Sequence, residues 1–129
     1  MKIISIHKIN LQRRLCIKKD LSELSLWLNT LVFFNSELDN LNIIEKQLIR
    51  NPSISSTIQG LRRKNILTMA TLCKYEQDLK TEFEYGKNEY DQARAKIHEI
   101  KRDQYTQLIG EHNAFKNQIY KVLKKFQLK

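Results

Sequence analysis

The chain has 129 residues, 41% of them apolar and 29% charged, with a formal net charge of +9. That balance excludes a disordered chain, and three Gly with a single Pro leave too little turn chemistry for a β sandwich or barrel. What remains is one domain's length of long helices, with surplus cations that favour anionic partners such as nucleic acid, acidic lipid or an acidic protein face.

Residues 1–19 read as a basic N-terminal arm carrying Lys2, Lys8, Arg13, Arg14, Lys18 and Lys19. Ile3, Ile6 and Ile9, with Ile4, Leu11, Leu15 and Ile17 nearby, fit either a short amphipathic helix or an extended segment. His7, Lys8, Arg13 and Arg14 interrupt any secretory apolar core, and no small-residue cleavage site follows. No apolar stretch approaches the length of a membrane span, and a membrane-surface helix over residues 1–19 is a third reading that their irregular apolar spacing disfavours. A cytoplasmic protein is expected, with a membrane surface disfavoured as partner. Cys16 and Cys73 stand alone without metal or redox spacing, as free thiols in a reducing compartment do.

Residues 20–129 read as a single helical coiled-coil or bundle domain. Its first helix is expected to start at Asp20 or Ser22 as cap, with Glu23 in the first turn. Leu24, Trp27, Leu31, Phe34, Leu38, Leu41 and Leu48 follow the alternating three-four spacing of a helical seam. Glu45 interrupts it and reads as a helix-end acid reaching solvent or a lysine. Leu21, Leu28, Ile44 and Ile49 widen the face enough to pack against two neighbours. Asn51-Pro52-Ser53 ends the helix, because proline disfavours helical geometry in the residue before it.

The remaining run has Ser53 or Ser55 as cap and a wide apolar face at Ile54, Ile58, Leu61, Ile66, Leu67, Met69, Ala70 and Leu72. The face then thins to Leu79, Phe83, Gly86, Tyr90, Ala93, Ile97 and Ile100, and widens again from Leu108 to Phe126. Folding back at Gly86 lays the wide ends side by side. The expected fold is therefore all-α: an antiparallel three-helix bundle with long helices and a coiled-coil hairpin arm turning near Gly86. Such a turn would place Gly86 in the left-handed region, use Asn88 to cap the next helix, and accept proline at Gly86. The alternative is helix one plus one unbroken helix about 110 Å long in an oligomeric coiled coil. The seam's constant phase through Gly86, and Glu82 and Glu84 near the expected C-terminus, favour that alternative.

Catalytic chemistry is not visible in the pattern. Gly60, Gly86 and Gly110 are isolated, so there is no phosphate loop. Ser53, Ser55, Ser56 and Thr57 follow a proline, where capping explains them. The spacing lacks Glu-x-x-His and His-Glu-x-x-His, and neither His98 beside Glu99 nor His112 beside Glu111 shares a helix face with its neighbour. Both histidines read as solvated helix-surface residues. No catalytic, cofactor-binding or metal-ligating residue is assigned, and no cofactor is expected.

The basic side chains are the one feature with a binding chemistry. Arg13 and Arg14 in the N-terminal arm, with Arg62, Arg63, Lys64, Lys116, Lys121, Lys124 and Lys125 around the base of the bundle, form a candidate anion-binding patch. The aromatic residues keep helical core spacing rather than interleaving as stacking platforms. The leading expectation is a non-enzymatic helical interaction protein: an adaptor, small chaperone or assembly subunit acting through coiled-coil and bundle surfaces. Its partner is another protein, with self-association open. The alternative is a basic module that binds nucleic acid or a nucleoprotein through the N-terminal arm and the basic base.

Overall fold

The computed structural model describes residues 2–127 and the side chains of residues 6–126. Met1, Leu128 and Lys129, and the side chains of Lys2, Ile3, Ile4, Ser5 and Gln127, lie outside the described residues. The described residues form α1 (Lys2–Ile44), a π-helical turn (Glu45–Ile49), α2 (Pro52–Tyr85) and α3 (Gln92–Gln127), with no strand. The three helices make an antiparallel bundle, and the single unbroken helix weighed as an alternative is not formed. No helix among the described residues is long and apolar enough to cross a membrane.

Each helix presents a seam advancing by steps of four and three. In α1 the seam is Arg13, Ile17, Asp20, Leu24, Trp27, Leu31, Phe34, Leu38, Leu41 and Glu45, all buried. In α2 it is Ile54, Ile58, Leu61, Asn65, Leu72, Tyr75 and Leu79, with Thr68 and Glu82 half-buried in the same series. In α3 the series runs Arg94, His98, Lys101, Tyr105, Leu108, His112, Phe115, Ile119 and Val122. Here the structure corrects the expected seam: Ala93, Ile97 and Ile100 are exposed, and the residue after each turns inward. The phase that looked continuous through Gly86 slips by one position across the connection.

The first helix also starts earlier than its expected cap. Residues 2–19 join α1 without a break, so the extended form of the arm is not adopted, and Asp20 is a buried mid-helix residue rather than a cap. α1 therefore flanks the whole hairpin, about 65 Å at 1.5 Å per residue. One apolar cluster, Ile17, Leu24, Trp27, Leu31, Leu72, Tyr75, Leu79 and Leu108, fills the half nearest the Gly86 connection. The other, Leu38, Leu41, Ile54, Ile58, Leu61, Phe115 and Ile119, fills the base.

Between α1 and α2 the chain turns through Glu45–Ile49, whose extra residue per turn rotates the backbone beyond it. Leu48 is thereby exposed and Glu45 is buried, the reverse of their expected placement. Arg50 adopts φ 52° and donates its N–H to the Glu45 carbonyl at 2.6 Å. The cap of α2 is Asn51, which accepts from Ser53 N at 2.9 Å, with Pro52 as the first helical residue, rather than Ser53 or Ser55.

The second connection covers residues 86–91. Gly86 is extended, φ −70° and ψ 148°, not left-handed. Its N–H donates to the Glu82 carbonyl at 2.9 Å, and a Cβ on it would lie 2.5 Å from that oxygen. A close approach, not a positive φ, is what glycine provides here. Asp91, not Asn88, caps α3 by accepting from Arg94 N at 3.0 Å.

Adjacent rings test the packing. Phe34 is buried and Phe33 points out, so Phe34→Ala should cost about 3–5 kcal/mol while Phe33→Ala should stay within about 0.5 kcal/mol, read by urea unfolding. At the connection, Gly86→Pro deletes the bond to Glu82 and sets a ring against that carbonyl. A loss of about 2 kcal/mol or more is expected, where a freely accommodating turn would show an unchanged midpoint.

Candidate functional site

A polar network drawn from all three helices interrupts the upper apolar cluster. α1 contributes Asp20 and Glu23, three residues apart and so on neighbouring positions of one face. α2 contributes Tyr75, the connection contributes Tyr90, and α3 contributes His98 and Arg102, one turn apart. α1 and α3 run parallel, so Glu23 meets Arg102, Phe34 meets His112 and Glu37 meets Lys116.

His98 is the centre. Its Nδ1 lies 2.6 Å from the Tyr75 hydroxyl, and its Nε2 lies 2.7 Å from Glu23 Oε1 and 3.4 Å from Asp20 Oδ1. The Tyr90 hydroxyl donates to Asp20 Oδ2. Arg102 closes a two-pronged pair on Glu23, Nε to Oε2 and a terminal nitrogen to Oε1, both at 2.8 Å. That guanidinium is the main reason the Glu23 carboxyl is held down at about 2, against partial desolvation, with His98 assisting. Burial pushes both phenols well above the ordinary tyrosine range. The nearby carboxylates add to this, Asp20 and Glu23 for Tyr75, and a hydrogen bond to Asp20 for Tyr90. Tyr75 and Tyr90 therefore keep their protons at neutral pH.

Aromatic rings wall the network. Trp27 lies between His98 and Tyr105, with centroids at 5.1 and 5.3 Å and planes within 24° and 18°. The same stacking recurs one layer down, where His112 lies 4.6 Å from Phe34 and nearly parallel to it. Lys116 covers the Phe34 ring at 5.1 Å and pairs with Glu37 at 3.2 Å. Both histidines are 2% exposed, which overturns their reading as solvated surface residues. Asp20 Oδ1, Glu23 Oε1 and His98 Nε2 could hold a metal ion together, since one ligand atom from each lies within 4.8 Å of the others.

The basic side chains singled out in the sequence do not gather on one surface. Arg13 is buried and donates to the Glu82 carbonyl, and Arg14 covers the Phe83 ring at 5.4 Å, both at the Gly86 end. Arg62 pairs with Asp39 at 2.7 Å, Lys64 with Glu111 at 3.0 Å, and Lys116 with Glu37. Arg63, Lys121, Lys124 and Lys125 are exposed, the last three at the far end of α3.

A second feature lies outside the bundle, on the solvent face of α1. Ser22, Ser25, Leu26, Asn29, Val32, Phe33, Ser36, Asn40 and Ile43 are all exposed, and the charged residue among these positions, Asp39, is tied to Arg62. Leu26 is 67% exposed and Phe33 59%. At the N-terminal end this face meets Leu11, Leu15 and the exposed cations Arg14, Lys18 and Lys19. Sequence periodicity did not isolate this face, because an apolar outer stripe merges with the seam into a helix that looks wide all round. The network's signal was subtler: Tyr105 and His112 follow His98 at steps of seven, opposite Trp27 and Phe34.

His112 offers a clean titration. Burial lowers its proton affinity, Lys116 assists, and Glu111 and Glu37 oppose. A group whose proton affinity falls on folding stabilises the fold above its unfolded value, here about 6.5, and that contribution is lost as pH falls through it. Between pH 7.5 and 5, unfolding free energy should fall more steeply in the wild type than in His112→Phe, by up to about 1.4 kcal/mol per pH unit. Parallel curves would show that His112 is hydrated in the fold.

No protein family, no curated protein and no solved structure matches this chain.

Proposed function

We propose that this chain is a non-enzymatic helical interaction protein of the cytoplasm that receives an amphipathic helix of a partner protein on the outer face of α1. The observation that carries this reading is the face from Ser22 to Ile43. It exposes Leu26, Val32, Phe33 and Ile43 among Ser and Asn, with Asp39 the one charged residue at its exposed positions. Small polar residues between large apolar ones let a second helix approach closely, its side chains filling the gaps between ridges. The cations Arg14, Lys18 and Lys19 at the N-terminal end define the occupant further: its matching end is acidic. Two free thiols, Cys16 and Cys73, accord with a reducing compartment.

The second reading, nucleic-acid binding, is supported by Lys121, Lys124 and Lys125, exposed with no ion pair among the described residues. One experiment separates the two. A photo-crosslinking residue placed at Phe33 or Asn29 should join the chain in cells to one protein segment that is apolar on one side and acidic at one end. Leu26→Glu with Lys18→Glu should abolish that product, and the purified partner segment should bind wild type but not the double variant. No protein crosslink from either position, with nucleic acid that co-purifies and is lost on changing Lys121, Lys124 and Lys125 to Gln, would replace this reading with the second.

A further inference from the structure

We propose that Asp20, Glu23 and His98 bind one first-row divalent transition-metal ion, which ties α1 to α3 from inside the bundle. The donor set is mixed, one imidazole nitrogen and two carboxylate oxygens. The imidazole favours Zn²⁺ or Co²⁺ over Mg²⁺ and Ca²⁺, which take oxygen alone.

The spacing suits such an ion. Metal–ligand bonds of 2.0–2.2 Å in a tetrahedral arrangement set ligand atoms about 3.3–3.6 Å apart, and His98 Nε2 stands 3.4 Å from Asp20 Oδ1. Its 2.7 Å approach to Glu23 Oε1 is that of a hydrogen bond. Opening it by roughly 0.7 Å to metal spacing is a side-chain motion, since Glu23 is half-buried at the solvent edge. A single N–H now stands between two carboxylates, and the ion takes that place. The one ring proton moves from Nε2 to Nδ1, which then donates to the Tyr75 oxygen while the Tyr75 hydroxyl turns its own proton away.

Each ligand already has its outer atom held. Tyr75 orients His98, Tyr90 orients Asp20, and Arg102 orients Glu23 through Oε2. Outer partners of this kind fix ring tautomer and carboxylate angle in metal sites. Charge also agrees. Two carboxylates against one guanidinium leave an unbalanced negative charge beside a nearly fully buried ring, where a cation is strongly held. Arg102 is 44% exposed, so its terminal nitrogen can release Oε1 to solvent while Nε keeps Oε2. Solvent reaches the site along that Glu23–Arg102 edge.

The test uses the full chain stripped of metal, titrated with Zn²⁺, Co²⁺ and Mg²⁺. Zn²⁺ should raise the unfolding temperature and saturate at one equivalent, and Mg²⁺ should not. Co²⁺ should give visible bands of nitrogen and oxygen ligation without a thiolate charge-transfer band. Glu23→Gln, at the half-exposed ligand, should abolish the shift while leaving the fold intact by circular dichroism. Tyr75→Phe should weaken binding by roughly 10–100-fold, and His7→Gln should leave it unchanged. Absence of saturable Zn²⁺ binding overturns the proposal. So does undiminished binding in Glu23→Gln, or a thiolate band, which would put the ion on Cys16 or Cys73. Should Asp20→Asn fail to fold, Glu23→Gln and the cobalt spectrum decide the matter alone.

Discussion

A carboxylate at a seam position of a long helix has to be met by donors that its own helix does not supply. Asp20 is such a group, 6% exposed between Ile17 and Leu24. Leaving it unpaired in the interior would cost several kcal/mol. The donors come from far along the chain: the Tyr90 hydroxyl in the second connection and the His98 ring on α3. Meeting them fixes how far α3 slides along α1 and which face of α3 turns inward. The apolar layers above and below could tolerate a shift of one heptad, since Leu, Ile and Phe exchange places readily. The Asp20 layer could not, which is how a buried polar group sets register in a coiled coil.

Other polar residues on the seams act in the same sense at their own levels. Near the Gly86 connection, Glu82 pairs with Arg94 at 2.6 Å while its carbonyl receives both the Gly86 N–H and Arg13. Between the two apolar clusters, Asn65 donates to the Leu31 carbonyl at 3.0 Å, and His112 stacks on Phe34. The base is nearly all aliphatic and aromatic. Apolar burial stabilises both halves, and specificity of alignment is concentrated toward the connection, where polar and aromatic layers alternate. A cation among Asp20, Glu23 and His98 would act on that second half.

The outside of the bundle is divided differently. On α2 and α3 the surface mixes ion pairs such as Lys80 with Glu76 and Lys64 with Glu111 with uncharged stretches that expose Ile66, Leu67 and Tyr120. On α1 the corresponding surface from Ser22 to Ile43 carries little charge. A chain of net charge +9 repels its neighbours where its cations lie. The weakly charged Ser22–Ile43 face permits close approach of another helix, and its basic end biases which helix approaches.

By itself the sequence determined that the chain is helical, that Pro52 ends the first helix and that Leu24 to Leu41 form a buried seam, while it left a turn at Gly86 and an unbroken helix both open. These features come from local physics: proline geometry, scarce turn residues and apolar periodicity. Only the tertiary structure decided the facing of α3. In a stretch where Ile97 precedes His98 and Ile100 precedes Lys101, counting apolar residues selects the wrong members of each pair. A turn of about 100° per residue separates the two choices, and hydrophobic area favours the isoleucines. The histidine wins because its hydrogen-bond partners, Glu23 and Tyr75, are already in place on two other helices. The same holds for Asp20, read as a cap and found in the core, and for Glu45, which the π-helical turn brings inside. Whether a polar side chain is buried depends on a partner tens of residues away, and periodicity along one helix contains no record of it.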